Sequence, residues 1–274
     1  MQRKVLSIAG FDGSGGAGIQ ADLKTFSAFG CYGMTVLTAL PVQNTQGVKN
    51  CYELPLKAIE EQLEAIFEDI KPDSIKIGML FKAEIVSLVA SFLKTHAKKI
   101  PIILDPVLLA KSGDSLLLAD ALEILKAELI PLTTLITPNL PEAQALLGLD
   151  AQSEINMPLI AQQLLKLGSS AVLLKGGHLQ DELHSNDFFL SQKGQSQWLT
   201  SARINSKNTH GTGCTLSAAI ASGLALGLDL FASCELAKKY VYGAIEGAKD
   251  EKIGLGNGPV HHFYHLWPTM DKIF

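Results

Sequence analysis

A glycine-rich segment that leads into an apolar run has the clearest chemical use in this sequence. Asn208-Thr209-His210-Gly211-Thr212-Gly213-Cys214 is followed at once by small and apolar helix formers, 215–221. The first turn of a helix has backbone N–H groups without an intrahelical partner, and the peptide dipoles place partial positive charge there. Because glycine lets an anion approach that backbone closely, the segment predicts an anion site. A Gly-x-Gly taken alone is more typical of an ordinary strand-to-helix turn.

Oxygen ligands and one lysine follow other predicted strands. Asp105 ends an apolar run, Glu142 comes three residues after Asn139 at a helix start, and Lys175 precedes two glycines. Few carboxylates with substrate phosphates and water are the ligands that Mg²⁺ prefers, and a lysine reaches phosphates. Each residue also has a structural interpretation: Asp105 as a turn residue, Glu142 as a helix cap and Lys175 as a solvated strand end.

The elements that must position these residues alternate along the chain. We expect buried strands over 4–10, 34–42, 74–78, 102–105, 134–137 and 171–175. Between and after them lie predicted helices, 19–29, 55–70, 83–96, 115–129, 141–147, 159–167, 215–226 and 230–248. This alternation predicts a mostly parallel sheet with helices on both faces, a three-layer α/β/α sandwich with ligands outside the carboxyl ends of the strands. Residues 187–190 and 197–200, around a Gly194 turn, predict an antiparallel edge hairpin.

The first loop carries a second glycine motif, and its simplest interpretation fails. Gly13-x-Gly15-x-x-Gly18 matches the dinucleotide fingerprint, with a strand before it and a helix after it. That fingerprint also needs a carboxylate at the end of the second strand, where this chain has Pro41-Val42-Gln43-Asn44-Thr45. An NAD-linked oxidoreductase is therefore disfavoured, and the loop is interpreted as room for a small substrate.

Composition narrows the classes of protein further. The 274 residues are 47% hydrophobic and 18% charged, with a net charge of -4, which favours a compact globular protein over a disordered one. No basic run indicates nucleic acid, and no apolar stretch indicates a membrane or a signal peptide. The four cysteines lack disulfide or zinc spacing, so we expect reduced thiols and a cytoplasmic location. No linker divides residues 1–274, so we expect a single domain.

Seven ordered motifs carry a resemblance over nearly the whole chain. They are 10–24 (GFDGSGGAGIQADLK), 43–45 (QNT), 104–107 (LDPV), 110–114 (AKSGD), 137–143 (TPNLPEA), 175–178 (KGGH) and 209–217 (THGTGCTLS). In this order the chain resembles the hydroxymethylpyrimidine/phosphomethylpyrimidine kinases of thiamine biosynthesis, in the ribokinase-like superfamily. The resemblance implies ATP-dependent phosphorylation of 4-amino-5-hydroxymethyl-2-methylpyrimidine and then of its monophosphate. It also implies Mg²⁺, a homodimer and only small-molecule substrates, and leaves open the need for a monovalent cation.

The same resemblance assigns roles to residues. Gln43 would read the aminopyrimidine edge, since its amide both donates and accepts, while Met79 and Val107 would sandwich the ring. Gly10 would permit close approach, and Asp22 would hold the hydroxymethyl side or a neighbouring lysine. Asp105 and Glu142 would position Mg²⁺, with Asn139 in the same network, and Lys175 would meet the phosphates of the nucleotide. The transferred phosphoryl group would meet the backbone of Gly211, Thr212, Gly213 and Cys214.

Two departures from the family pattern concern the loops. Phe11 and Gly13 stand where the family has a small residue and a proline, which leaves the conformation of the first loop open. The wider superfamily ends the anion loop in an aspartate that acts as a base, whereas this chain, like the pyrimidine kinases, has Cys214. Whether that thiol is a base or only fills the helix start stays open.

Two other functions remain as alternatives. A pyridoxal kinase shares the fold and the nucleotide, but Gln43 favours the aminopyrimidine. A binding protein without activity is disfavoured by the presence of Asp105, Glu142 and Lys175 beside the anion loop.

Overall fold

Strands and helices alternate through the residues that the computed structural model describes, which are 2–108, 119–150, 156–177, 179 and 183–267. The strands are β1 (Lys4–Ala9), β2 (Tyr32–Leu37), β3 (Ala39–Asn44), β4 (Gly47–Glu53), β5 (Ser74–Ile77), β6 (Ile102–Leu104), β7 (Leu135–Ile136), β8 (Ala171–Lys175), β9 (Asp187–Ser191) and β10 (Ser196–Leu199). The helices are α1 (Gly18–Ala28), α2 (Leu56–Asp69), α3 (Ala83–His96), α4 (Ala119–Ile124), α5 (Leu140–Leu147), α6 (Met157–Leu165), α7 (Thr212–Ala225) and α8 (Leu230–Ala248).

Eight of these strands form one sheet in the order β10-β9-β8-β7-β6-β5-β1-β2. The pairs from β8 to β2 are parallel, and β9 runs antiparallel between β8 and β10. Parallel neighbours need a crossover, which the helices supply, so the carboxyl ends of these strands meet along one edge. The predicted three-layer α/β architecture and its antiparallel edge hairpin are confirmed.

Successive residues of a strand pack against helices on opposite faces of the sheet. Val5 and Leu173 are buried in the cluster that contains α1, α7 and α8, whereas Leu6 and Leu174 are buried in the cluster formed with α2, α3 and α6. Side chains alternate across a strand, and a parallel sheet is covered on both faces, so both positions must be apolar. This is why the strands appear in the sequence as continuous apolar runs.

The second predicted strand, 34–42, is wrong as a single element. The chain leaves the main sheet at Thr38, whose hydroxyl donates to the Met79 carbonyl at 2.6 Å, and continues as β3. β3 pairs with β4 in a separate two-stranded antiparallel ribbon, with a register shift between Val42 and Gln43. A mostly apolar segment without a glycine or charge favours one strand, whereas Thr38 at the break contacts a residue 41 positions away.

Helix α7 is buried over most of its length because its residues are small. Ser217, Ala218, Ala219 and Ala221 are fully buried, and a Cβ at Gly223 would lie 2.9 Å from the Ser233 Oγ of α8. Small side chains let α7 lie close to both the sheet and α8. The first turn of α7 is thereby held at the edge where the strands end.

Some predictions fall outside the described residues. They are the motif at 110–114, His178 and the first part of the helix predicted over 115–129. The rest of that helix is present as α4, which widens into a π-helical turn over Leu125–Leu129. In the part of the chain that is described, no helix is both long and apolar enough to cross a membrane.

Candidate active site

A cavity of about 710 Å³ opens at the carboxyl ends of the parallel strands, which is where ligands of such sheets bind. It extends from the loop after β1, past the ends of β5, β6 and β8, to the start of α7 and one face of α8. The predicted site residues that line it are Gly10, Gln43, Met79, Asp105, Val107, Asn139, Glu142, Lys175, Gly211, Thr212, Gly213 and Cys214. Asp22 does not line the cavity. The structure therefore brings together residues from almost the entire chain.

The start of α7 has the geometry expected of an anion site. Gly211 is the N-cap residue with φ of 80°, a conformation that disfavours side chains, and no side chain caps the helix. The first-turn N–H groups, including those of Gly213 and Cys214, have no partner one turn earlier in the helix. They are thus available to an anion in the cavity.

The two glycine-rich loops are in direct contact. A Cβ at Gly211 would lie 1.7 Å from the Gly16 carbonyl oxygen, and a Cβ at Gly16 would lie 2.4 Å from the Cδ2 of His210. Only glycine at both positions allows this approach. The backbone of Gly18 also lowers the pKa of Cys214, which opposes the effect of burial. The first loop thus supports the anion loop.

Asp12 organises this contact. Its Oδ2 accepts hydrogen bonds from the backbone N–H groups of Gly16 and Ala17, at 3.1 and 2.7 Å, and lies 2.8 Å from the Nε2 of His210. Burial by itself raises the pKa of Asp12, but the hydrogen bonds from His210 and Ser14 hold that pKa below its usual range. The fully buried carboxylate is therefore ionised at neutral pH.

Carboxylates and a lysine form the floor of the cavity beside α7. Lys175 Nζ lies 2.8 Å from Asp105 Oδ1 and 3.9 Å from Glu142 Oε2. Glu142 also forms a reciprocal capping box with Asn139, which confirms the capping interpretation, and the same residue lines the cavity. The pKa of Glu142 is raised to about 7, chiefly by burial. The charge of Lys175 opposes this rise, and the charge of Asp105 adds to it. Two carboxylates thus share one lysine.

Asp22 contacts a lysine that the sequence analysis missed. Its Oδ2 lies 2.8 Å from the Nζ of Lys76 and accepts the hydroxyl of Ser7 at 2.5 Å. Lys76 lines the cavity although it is fully buried. The expectation that Asp22 holds either the substrate or a neighbouring lysine is resolved here in favour of the lysine. A lysine within the buried run Ser74-Ile75-Lys76-Ile77 was the available signal, since such a charge needs a partner.

Apolar groups and one amide line the cavity near the loop after β1. The Met79 sulfur lies 3.1 Å from the position of a Cβ at Gly10, so glycine makes room for the thioether. Gln43 Nε2 donates to the Phe11 carbonyl at 3.4 Å. The ring of Phe11 lies 3.2 Å from the position of a Cβ at Gly13. The two departures in the first loop therefore compensate each other, because the larger residue at 11 occupies space that the smaller one at 13 leaves.

The other end of the cavity, away from the loop after β1, is lined by residues that were not predicted from the sequence. Its wall includes Ile204, Leu216, Val241 and Ile245, which come from the β10–α7 connection, α7 and α8. Asp187 accepts the Gly176 N–H at 3.0 Å and pairs with Lys238 at 2.7 Å, which holds the loop after β8. A pairing between residues 51 positions apart has no local signature.

The sequence profile of the family described as phosphomethylpyrimidine kinase matches residues 12–261, including both glycine-rich loops and the carboxylates between them. The chain belongs to the phosphomethylpyrimidine kinase family. A hydroxymethylpyrimidine/phosphomethylpyrimidine kinase of Salmonella typhimurium is 47% identical over 97% of this chain and 100% of its own length. The predicted kinase assignment is thereby confirmed.

Solved structures agree with the family assignment. A phosphomethylpyrimidine kinase of Clostridium difficile superposes with a TM-score of 0.77 at 43% identity and covers 89% of this chain and 100% of its own. A pyridoxal kinase of Staphylococcus aureus, in complex with AMP-PCP and pyridoxal, has a TM-score of 0.86 at 34% identity and covers 97% of this chain and 95% of its own. The phosphomethylpyrimidine kinase family thus shares its fold with kinases that act on another heteroaromatic ring.

Proposed function

We propose that this phosphomethylpyrimidine kinase transfers the γ-phosphoryl group of ATP to the hydroxymethyl oxygen of 4-amino-5-hydroxymethyl-2-methylpyrimidine, and then transfers a second to the resulting monophosphate. One observation carries the proposal. A Cβ at Gly213 would lie 3.2 Å from Asp105 Oδ2 and 3.3 Å from Lys175 Nζ. The absence of a side chain there leaves a space bounded by helix N–H groups, a lysine and a carboxylate, which are the groups that phosphoryl transfer uses.

The nucleotide lies on the Lys175 side in this proposal. Lys175 reaches its phosphates, and the first-turn N–H groups of α7 stabilise the charge that spreads over the transferred group. The apolar wall at Leu216, Val241 and Ile245 excludes water and offers a surface for the adenine.

The acceptor lies at the opposite end, near Gly10. Met79 and Val107 would flank the flat ring, and the Gln43 amide would donate to a ring nitrogen and accept from the exocyclic amine. Holding acceptor and donor in line supplies much of the rate enhancement, because phosphoryl transfer needs little covalent chemistry from the protein.

The donor set at Asp105 and Glu142 fits Mg²⁺. Two carboxyl groups lie within 4 Å of the single Lys175 ammonium, and no three His, Cys, Asp or Glu side chains within the described residues form a protein-only metal centre. A site with few carboxylates suits an ion that keeps water and phosphate ligands. Asp105 and Glu142 would hold Mg²⁺, which neutralises charge on the β- and γ-phosphates when bound.

The experiment is direct. The purified protein is incubated with Mg-ATP and the hydroxymethylpyrimidine, its monophosphate or pyridoxal, and products are identified by mass. We expect the monophosphate and the diphosphate of the pyrimidine. The Lys175→Met variant should form these products at least about 100-fold more slowly. Such a loss would exclude a contaminating kinase as their source. Absence of any phosphorylated pyrimidine with the unaltered protein would overturn the proposal.

Pyridoxal is the second candidate acceptor because of the structural similarity to the S. aureus pyridoxal kinase. The ratio of kcat/KM for the two acceptors in the same preparation decides between them. We expect the ratio to favour the pyrimidine, since Gln43 can pair with an aminopyrimidine edge. A higher kcat/KM for pyridoxal would reverse the assignment.

We also propose that residues 1–274 act as one domain in a cytoplasmic protein, as the sequence predicts, and that the protein is a homodimer, as the family resemblance implies. The main sheet supports the single domain because its strands come from residues 4 to 199, and α7 and α8, which follow them in the chain, pack on that same sheet. A single cooperative unfolding transition would support one domain. A solution mass of twice 29.4 kDa, from light scattering, would support the dimer.

A further inference from the structure

Lys76 is an unusual residue for the centre of a parallel sheet. It lies on β5 with no exposed surface, yet its side chain lines the floor of the cavity. Its Nζ donates to Asp22 Oδ2 at 2.8 Å, while the other oxygen of that buried carboxylate has no hydrogen-bond partner. A buried lysine is tolerated when it is paired, so Asp22 keeps the ammonium charged and in place. The pair occupies a position where two apolar residues would serve stability equally well.

The ammonium group lies on the acceptor side of the cavity. A Cβ at Gly78 would lie 2.9 Å from Lys76 Nζ and 3.2 Å from the Cβ of Ala9. Gly78 directly precedes Met79, and Ala9 directly precedes Gly10. The lysine is thus adjacent to the backbone that carries two of the residues proposed to hold the pyrimidine.

A second lysine–aspartate pair lies on the donor side. Lys175 and Asp105 face the position of Gly213, and Cys214 is the next residue of α7. Lys76 lines the same cavity as Cys214. Lys175 ends β8 and Lys76 lies on β5, with β7 and β6 between them in the sheet, so the two lysines enter the cavity from different strands. The transferred phosphoryl group would pass between them.

The second transfer needs a cation on the acceptor side. In the first transfer the acceptor is a neutral hydroxyl, whereas in the second it is a phosphate monoester with a charge near −2. The acceptor oxygen must occupy the same in-line position in both, so the phosphate takes the place of the hydroxymethyl group and the ring moves outward. Two phosphate groups then meet, and their repulsion must be offset.

We propose that Lys76 is the catalytic cation that binds the acceptor phosphate and so makes the second transfer possible; this rests on the proposed function. An oxygen of the acceptor phosphate forms a bond to the γ-phosphorus, and the bond from that phosphorus to the β-bridging oxygen breaks. The electron pair of the broken bond leaves on ADP. The ionised acceptor has no proton to remove, so Lys76 keeps its protons throughout.

The test compares the two transfers in one variant. Lys76→Met alone leaves Asp22 buried and unpaired, which can prevent folding, so the main variant is the double substitution Asp22→Asn with Lys76→Met. Ile75→Ala, on the same strand and fully buried, controls for lost stability without a change of charge. kcat and KM are measured for the hydroxymethylpyrimidine and for its monophosphate.

We expect kcat/KM for the monophosphate to fall by about 100-fold or more in the double variant, and kcat/KM for the hydroxymethylpyrimidine by about tenfold or less. Ile75→Ala should affect both alike. An equal fall for both acceptors in the double variant, or retention of the second transfer within about threefold, would overturn the role of Lys76. If the unaltered protein phosphorylates neither acceptor, the proposed function itself fails, so the two failures are distinguishable.

Binding gives a readout that is independent of turnover. In the absence of nucleotide, calorimetry should show the monophosphate binding about tenfold more weakly to the double variant, while binding of the hydroxymethylpyrimidine changes by less than about twofold. Equal weakening for both ligands would mean that the pair only supports the fold.

Discussion

His210 Nε2 lies 2.8 Å from Asp12 Oδ2 and joins two glycine-rich loops that are 198 residues apart in the chain. The backbone N–H of His210 donates to the Gly258 carbonyl at 3.0 Å, so a third segment is held at the same point. The position of the anion loop therefore depends on its neighbours as much as on α7. This dependence leads to the first prediction.

Removing the imidazole should impair catalysis more than nucleotide binding. His210→Ala is expected to lower kcat by about 100-fold with little change in the KM for ATP, because a displacement of about 1 Å is enough to misalign the transfer. His210→Gln, which can still donate to Asp12, should keep most of the activity. Steady-state kinetics with both variants, and with the exposed His96→Ala as control, makes the comparison. A kcat for His210→Ala within about threefold of the original would contradict the role of this contact.

Gln43→Ala should weaken use of the pyrimidine and spare ATP. Loss of two hydrogen bonds to the ring edge corresponds to about 1–3 kcal/mol, or roughly a 5- to 150-fold rise in the KM for the acceptor. Gln46→Ala, an exposed glutamine in the turn of the same ribbon, is the matched control. If the KM for ATP rises as much as the KM for the pyrimidine, Gln43 does not read the ring.

Cys214 should behave as a neutral thiol. Burial raises the pKa of Cys214 to about 11, Lys76 opposes that shift, and Asp22 and Asp105 reinforce it. Cys214→Ser is therefore expected to keep most of kcat, with the loop acting through its backbone. The alkylation rate of Cys214 by iodoacetamide should rise by about tenfold per pH unit from about pH 8 to about pH 10.

A short unstructured peptide with one cysteine and blocked ends, in the same tube, is the control for that measurement, since a thiol with a pKa near 8.5 approaches its plateau over this range. The modified peptide is quantified by mass spectrometry. A plateau for Cys214 below about pH 9, together with a large loss of kcat in Cys214→Ser, would instead favour the thiol as the base.

The buried His262 should make the protein sensitive to acid. Burial lowers the pKa of His262 to about 3, with smaller contributions from the charges of Lys24 and His261, and its Nε2 lies 3.1 Å from the Thr215 hydroxyl of α7. In the unfolded chain the imidazole takes up a proton near pH 6.5, so the unfolded state binds more protons below that pH. The stability that depends on the neutral ring is present above pH 6.5 and is lost as the pH falls.

Between about pH 7.5 and about pH 5 the free energy of unfolding should fall by about 2 kcal/mol more in the unaltered protein than in His262→Gln. Urea denaturation followed by circular dichroism measures both values. Since Asp12 and Glu142 titrate in both proteins, their contributions cancel in the difference. Equal losses in the two proteins would show that His262 is not the group responsible.

The residues at the carboxyl ends of the strands could be predicted because the rule behind them is local. Asp105 and Lys175 each end an apolar run, and parallel strands covered by helices bring such ends to one edge. The start of α7 was predicted for the same reason, since glycines before a run of helix formers produce unpaired N–H groups wherever they occur. The family resemblance depended on these short ordered motifs.

Contacts between distant segments could not be predicted in this way. Lys76 appears in the sequence as a charge within a strand, and its partner Asp22 lies 54 positions earlier. At the break between β2 and β3, the hydroxyl of Thr38 donates to the distant carbonyl of Met79. No periodicity or propensity encodes either pairing, because both depend on which elements the folded sheet makes neighbours.

The anion loop shows which of its properties the sequence determines and which the tertiary structure determines. The sequence by itself determined that Gly211 to Cys214 open a helix with unpaired N–H groups, because glycine content and helix geometry are properties of a short segment. Only the tertiary structure decided what those groups face: the first loop at Gly16, the Asp105–Lys175 pair and, in the same cavity, Lys76 of the Asp22–Lys76 pair. The physical reason is that close packing and charge pairing act between surfaces, and the surfaces exist only after the chain has folded.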